Sequence, residues 1–437
     1  MGGTREIRDP IHSFVRVDRF LTAIVDSAPV QRLRHISQLA LTNLVYPGAT
    51  HRRFEHSLGV MDLAGRVFDA VTATDRVNDE IRDLLPELTE PEALMYWKRV
   101  LQVAALCHDI GHLPFSHAAE RELLPDGWDH ERLTRELLSS APLSDMWPKL
   151  KPLLNSQDIV KLAIGKKKAP DLEFSNWEAV LSEIVVGDAF GVDRMDYLLR
   201  DSHHIGVPYG RFDHNRLIDT LRILPFSPED PDAPGEPALG VERGGLESAE
   251  ALLLARYLMY SQVYFHRVRL IYDLHLIDFL RWWIGGHFPI KPDEHQRRTD
   301  DDALVALRDA ALGGDDVGGA LSRRITAREH FRVLYERNPH DLGVNPDAAR
   351  AVADAAQIEF SEENIKYSNK LDQGGSTQFP VLMRDGRVAA SHSVSEALTK
   401  LPIVRVEYVY VAPELREEAQ QWLQEKREEL IQPKEEE

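Results

Sequence analysis

Apolar residues recur three and four positions apart along most of the first 285 positions, the spacing of helices that bury one face. This pattern predicts helices over 15–26, 29–41, 56–71, 91–106, 130–138, 177–186, 192–202 and, longest, 248–283. Ser248 ahead of Ala249-Glu250-Ala251 resembles an N-cap, and Gly285-Gly286 supplies a stop. Two stretches interrupt the pattern and read as loops. One, 165–170, carries three consecutive lysines; the other, 225–245, is rich in Pro, Gly, Asp and Glu and is expected to join short strands around 221–223 and 238–241. A Pro- and Asp-rich break at 289–302 marks a change of module, with helices expected over 302–312 and 320–336. Beyond about Asn364, the segments 379–383 and 403–411 are β-branched and aromatic and read as strands. An acidic helix over 414–431 and a frayed tail at 433–437 follow. The expected fold is mainly α with a small α/β C-terminal module, divided as 1–288, 289–363 and 364–437. No internal repeat is present.

Composition narrows the class. A chain of 437 residues, 43% of them hydrophobic, can bury a sizeable core. The single cysteine, Cys107, excludes an intramolecular disulfide, fits a reducing compartment and reads as a small buried residue. The start, Met1-Gly2-Gly3-Thr4-Arg5-Glu6, lacks the apolar run of a signal peptide. The longest apolar candidate, 251–263, is interrupted by Arg256 and falls short of the ~20 residues of a membrane span. A soluble, cytoplasmic protein is expected. The net charge of −19 argues against nucleic acid as partner. It does not exclude a small anionic substrate, because a local cluster of Arg, His and metal reverses the field inside a pocket.

The candidate chemistry centres on Cys107-His108-Asp109-Ile110-Gly111-His112, at the end of an apolar helix, with His117 close behind. That many ionisable groups beside a core segment are costly unless paired, and a divalent cation is the natural partner. Imidazole and carboxylate together suit Fe, Mn, Zn or Ni better than Mg or Ca. Further ligands are available upstream at His56 and downstream at Asp193, in the order His56, His108-Asp109, Asp193. A bare His-Asp pair means little; four elements in this order, each in an apolar helical context, are a strong signal.

Residues 51–60, 106–117 and 192–206 resemble the deoxynucleoside triphosphate triphosphohydrolases of the HD superfamily, over roughly residues 5–285. The resemblance implies an HD-domain helical core without a SAM domain. It also implies the conversion of a dNTP and water to deoxynucleoside and inorganic triphosphate. It makes His56, His108, Asp109 and Asp193 the metal ligands, and His117 the proton donor to the departing 5′ oxygen. His112 lines the same pocket, and His130-Glu131 orient the catalytic groups. Glu120 stands where that family has an aspartate. Arg53 is implied to hold phosphate oxygens, Asp201 the sugar 3′-OH, and Gln38 and Leu39 the nucleoside. Arg194 replaces a phosphate-binding lysine. Tyr197 and Asp201 lie one helical turn apart. Arg256, Tyr260 and Tyr264 form a stripe spaced by four, in which Arg256 would meet the triphosphate and Tyr264 would exclude a 2′-OH. Tyr260 replaces a histidine. His203 and His204 match a family pair that flanks the site; His12, His35 and His51 read as structural.

Asp26, Gln31 and Arg34 match the guanine-reading residues of that family's allosteric site, although Arg5 and Arg8 depart from its pattern. This implies a GTP or dGTP effector at a subunit interface and a homo-oligomer, dimer or tetramer. Mg could accompany the nucleotide phosphates. Two alternatives stay open: another HD phosphohydrolase acting on nucleoside monophosphates, cyclic nucleotides or alarmones, and a non-catalytic nucleotide sensor.

Overall fold

The computed structural model describes residues 4–118, 120–227, 235–314, 316–372 and 378–432. Its centre is a group of helices, Arg53–Val71, Pro91–Cys107, Ser156–Lys168, Asn176–Val186 and Val192–Ile205, whose apolar faces form one continuous core. Val60, Leu63, Ala64 and Val67 of the first meet Val100, Val103, Ala104 and Cys107 of the second, all fully buried. Cys107 is a free, buried thiol. Among the described residues no helix is long and apolar enough to cross a membrane.

Around this core stand, among the described residues, three small sheets. Arg5–Asp9 pairs antiparallel with Ser13–Val17. Leu221–Phe226 pairs antiparallel with Glu236–Glu242, which pairs parallel with Pro380–Leu382, itself antiparallel to Val388–Ala390. The third sheet has Arg405–Val411 at its centre, between Arg332–Glu336 and Ile365–Leu371. Helices Ala348–Phe360 and Arg416–Ile431 pack on it. The mainly α fold with a small α/β element near the C-terminus agrees with the periodicity.

Local differences have local causes. The helix expected over 15–26 is a strand, Ser13–Val17, followed by a helix, Arg19–Val25. The Asp18 side chain accepts from the Leu21 N–H, a cap that starts the helix only after that point, while Val15 and Val17 alternate inward as strand residues do. The expected 29–41 helix stops after Ala28–Arg32 and tightens into a 3₁₀ turn, Leu33–His35. The helix expected over 320–336 ends at Thr326, and the stretch holding the β-branched Val333 and the aromatic Tyr335 becomes a strand beyond the left-handed Arg328 (φ 60°). The long 248–283 helix is two helices, Leu246–Met259 and Arg267–Ile284, separated by a π-helical turn, Tyr260–Tyr264. Gly285, at φ 67°, ends the second as expected. The lysine run closes helix Ser156–Lys168 after a kink at Gly165, whose φ of 74° suits glycine.

Two buried histidines join the C-terminal part to the core. His275 Nε2 accepts the Phe331 N–H at 3.1 Å, and burial, with Arg324 and Lys366 nearby, pushes its pKa down to about 3. Burial and Arg32 push His295 down to about 3 as well. In the unfolded chain both rings take a proton near pH 6.5, whereas the folded protein refuses it until about pH 3. The unfolded state therefore binds more protons in that window, and stability falls as the pH drops through it. The expected loss is ~1.4 kcal/mol per histidine for each pH unit below about 6.5. Denaturant midpoints measured from pH 7 to pH 4 check this, with His275→Gln expected to flatten the slope.

Candidate metal centre and its cavity

His56 lies in the first turn of helix Arg53–Val71, fully buried. His108 and Asp109 follow the last turn of helix Pro91–Cys107. Asp193 lies in the first turn of helix Val192–Ile205. Potential ligand atoms of His56, His108 and Asp109 all lie within 4.8 Å of one another. Asp193 Oδ1 stands 3.0 Å from His56 Nε2 and 3.5 Å from His108 Nε2, with its side chain one-third exposed. The four residues that the sequence singles out converge.

The donor set fits a transition metal. Each imidazole has its Nδ1 engaged: His56 with Asp196 Oδ2 at 2.8 Å, His108 with the Ala105 carbonyl at 2.8 Å. Both Nε2 atoms are buried and face the Asp109 and Asp193 carboxylates. A proton fixed on Nδ1 leaves the Nε2 lone pair directed at the carboxylates, the arrangement of a ligating histidine with its outer partner in place. Asp109 is held well below the usual carboxylate range: burial opposes this, and Arg53, His108 and His112 outweigh it. Asp193 is likewise lowered, against burial, by His108 and His56.

The cavity beside this cluster has a volume of about 1190 Å³. Arg53 enters its wall, donating from Nη1 to Asp109 and from Nε to Ser116 Oγ at 2.6 Å. His112 Nε2 lies 3.2 Å from Asp109 Oδ1 and its ring stacks on His130, centroids 3.9 Å apart. Burial, then the charges of Arg53 and His130, hold His112 neutral, well below its ordinary pKa. His130 sits against Glu120 Oε1 at 2.8 Å, with Glu131 at 3.1 Å. Burial pulls its pKa down, but the Glu120 carboxylate leads an opposing set that brings it up to about 8. Glu120 thus holds His130 directly. Gly111 permits this packing, since a Cβ there would run into the His130 carbonyl and Thr134. The side chain of His117 lies outside the described residues.

Another part of the wall carries Gln38, Leu39, Tyr197, Asp201, Tyr260 and Tyr264. Asp201 is buried and accepts from Tyr264 Oη at 2.6 Å and faces His51 Nε2 at 2.7 Å. His51 in turn stacks on His204 at 4.4 Å. The π-helical turn packs the Tyr260 and Tyr264 rings edge to face, 5.0 Å apart, with Tyr197 6.1 Å from Tyr264. Two expected members are not brought to the wall. Arg256 lies over the Tyr260 ring at 4.7 Å and is bound by the Asp372 carboxylate. Arg194, next to Asp193 in the first turn of helix Val192–Ile205, is not among the residues that line the cavity.

Asp26, Gln31 and Arg34 form a separate group. Asp26 ends helix Arg19–Val25 and pairs with Arg5 at 3.1 Å; Gln31 donates to the Val25 carbonyl and accepts from Arg34 Nε at 2.9 Å. Arg34 also lies 3.5 Å over the Phe54 ring.

Sequence reasoning missed two residues. Asp196 is fully buried and holds His56; its spacing of three from Asp193 was the available signal. Asp300 is fully buried, and its carboxylate accepts the N–H groups of Ser37 and Phe115, both at 2.7 Å, beside Ser116. Nothing near it in sequence indicates those partners.

Parts of the chain are similar to known proteins. Residues 53–200 match the HD domain family and residues 212–370 the HD associated region. An uncharacterized protein of Methanocaldococcus jannaschii is 35% identical over 260 residues, 60% of this chain and 46% of that protein. The deoxynucleoside triphosphate triphosphohydrolase SAMHD1 of Bos taurus is 35% identical over 239 residues, 50% of this chain and 38% of that protein. The chain thus spans about half the length, or less, of these curated relatives. A hypothetical protein from Aquifex aeolicus superposes with a TM-score of 0.77 at 29% identity, covering 96% of this chain and 100% of that one. A phosphohydrolase from Bacteroides thetaiotaomicron shares the fold at a TM-score of 0.70 and 23% identity, covering 94% and 100%. Residues 53–200 and 212–370 of this chain are thus similar to an HD domain and to its associated region.

Proposed function

We propose that this chain is a metal-dependent phosphohydrolase that converts dNTPs to deoxynucleoside and inorganic triphosphate. One observation carries the reading: the metal cluster, through His108, Asp109 and Asp193, and the Asp201–Tyr264–Tyr197 group open onto a single cavity. A divalent transition metal held by the four ligands would supply Lewis acidity toward phosphoryl oxygens and lower the pKa of water. The bond from water oxygen to the α-phosphorus forms as the bond from that phosphorus to the 5′ oxygen breaks, and His117 gives the departing oxygen its proton. Neutral His112 donates to a phosphoryl oxygen, while His130, carried by Glu120 and Glu131, keeps the His112 ring in place by stacking. Arg53 offers a planar fork to the phosphates, shared with Asp109. Asp201 accepts from the sugar 3′-OH, and the Tyr264 ring closes the space a 2′-OH would need. Arg256 reaches the phosphates by exchanging Asp372 for substrate.

The test is incubation of metal-loaded protein with each dNTP and each NTP, products resolved by ion exchange. Inorganic triphosphate from dNTPs alone is the expected result. Orthophosphate or pyrophosphate would instead favour another HD phosphohydrolase.

The reading extends to regulation. Asp26, Gln31 and Arg34 would accept the guanine of GTP or dGTP, with Asp26 released from Arg5, at an interface between copies of the chain. GTP is expected to raise turnover of another dNTP and to shift the protein toward a tetramer in sedimentation. Asp26→Ala should remove both responses; unchanged kinetics on adding GTP to the wild type would dismiss the effector site.

A further inference from the structure

The histidine ligand His56 stands between two competing carboxylates. Asp193 Oδ1 is 3.0 Å from its Nε2 and Asp196 Oδ2 is 2.8 Å from its Nδ1. A neutral imidazole carries one proton, so only one of these carboxylates can receive it. If the proton sits on Nε2, the lone pair faces Asp196 and the ring is lost as a ligand. If it sits on Nδ1, Nε2 is free to bind.

Asp196 is built to win. It is fully buried, and Arg200 grips both its oxygens, Nε to Oδ2 at 2.8 Å and Nη2 to Oδ1 at 2.9 Å. His12 Nε2 lies 2.6 Å from Oδ1. His12 Nδ1 has no hydrogen-bond partner among the described residues, which places that ring's proton on Nε2, between it and Asp196. Arg200 Nη1 continues to Asp9 Oδ2 at 2.9 Å, and Asp9 Oδ1 accepts the N–H groups of Ile11 and His12, both at 2.8 Å. The turn between strands Arg5–Asp9 and Ser13–Val17 is thereby clamped, with Ser13 in the left-handed region (φ 64°). Gly59, one turn beyond His56, lets the two helices close on this network; a Cβ there would strike the Asp196 carboxylate and Arg200.

We propose that Asp196 and His12 are positioning residues that keep the His56 proton on Nδ1, so that the N-terminal hairpin forms part of the outer shell of the metal centre. Asp9 and Arg200 lock the pair. Asp196 thereby acts through His56 and never touches substrate. The inference rests on the metal dependence proposed above and not on the choice of substrate.

The experiment uses the full chain. Manganese or zinc is titrated calorimetrically into wild type, Asp196→Asn, His12→Ala and His12→Gln, and the protonation of the His56 ring nitrogens is read by nitrogen-15 NMR in the zinc-loaded protein. Metal affinity is expected to fall by about 10- to 100-fold in Asp196→Asn and His12→Ala, the usual effect of losing an outer partner. His12→Gln, whose amide still donates to Asp196, should recover part of the loss. In the zinc-loaded wild type His56 should carry its proton on Nδ1. Folded variants that bind metal as tightly as wild type, or a wild-type His56 protonated on Nε2, overturn the proposal. Where Asp196→Asn does not fold by circular dichroism, the His12 pair decides. A wild type that binds no metal instead overturns the metal dependence itself.

Discussion

Asp109→Ala is expected to empty the centre of metal and to lower phosphohydrolysis by more than about 10³-fold, the largest effect of any single change. This carboxylate lies at the meeting point of the site. It faces His56 at 3.6 Å, His108 and His112 each at 3.2 Å, and is paired with Arg53. Its loss removes a ligand and also leaves a guanidinium that is only 3% exposed without its counter-charge. Stranding a buried charge in this way costs about 3–5 kcal/mol, so a drop in stability should accompany the drop in rate. Asp109→Asn, which keeps the shape and one acceptor, separates the two effects: it should retain more stability than Asp109→Ala while still failing to hold metal. Elemental analysis of the folded variants, with turnover measured in parallel, is the check. A folded Asp109→Ala protein that retains metal and turns over at the wild-type rate would remove the basis for the proposed chemistry.

The second large effect is expected far from the metal ligands in sequence. Asp300→Ala should destabilise the protein by ~3 kcal/mol and reduce turnover by about 10²-fold without touching substrate. Asp300 opens helix Asp300–Leu312 and turns its carboxylate onto the loop after the His-Asp pair. That loop holds two non-glycine residues, Phe115 and Ser116, in the left-handed region at φ 59° and 58°. Such conformations cost of order 1 kcal/mol each and persist only where the surroundings impose them. Asp300 does so through the Phe115 N–H, and through the Ser37 N–H and Arg52 it ties the same loop to residues 37–52. Ser116 Oγ then accepts from Arg53 and donates to the Ser37 carbonyl at 2.8 Å. Without Asp300, the buried Phe115 N–H and the part-buried Ser37 N–H lose their acceptor, each worth about 1–3 kcal/mol, and Arg53 loses the support it has through Ser116. Denaturant titration and steady-state kinetics read the two losses. If Asp300→Ala matches wild type in both, the loop needs no such anchor.

Much of the site is legible along the chain because its ligands are adjacent or helically spaced. His108 and Asp109 are neighbours, His56 and Asp193 each open a helix, and Tyr197 and Asp201 share a face by a spacing of four. The helices themselves follow from apolar periodicity, and Gly285 stops the longest run where it was expected to stop. Spacing alone does not show that Arg256 is held off the cavity wall. It says which residues share a face, not which carboxylate captures a guanidinium, and Asp372 captures Arg256 from 116 positions away.

The primary structure by itself determined the helical elements, the ligand types and their order, because periodicity, capping and chemical identity are local properties. Only tertiary packing decided the partners of Asp196 and Asp300. His12 reaches Asp196 across 184 positions, and the Phe115 N–H reaches Asp300 across 185. A buried polar group must find a partner wherever the chain brings one, and that search is settled by burial and distance in the folded protein.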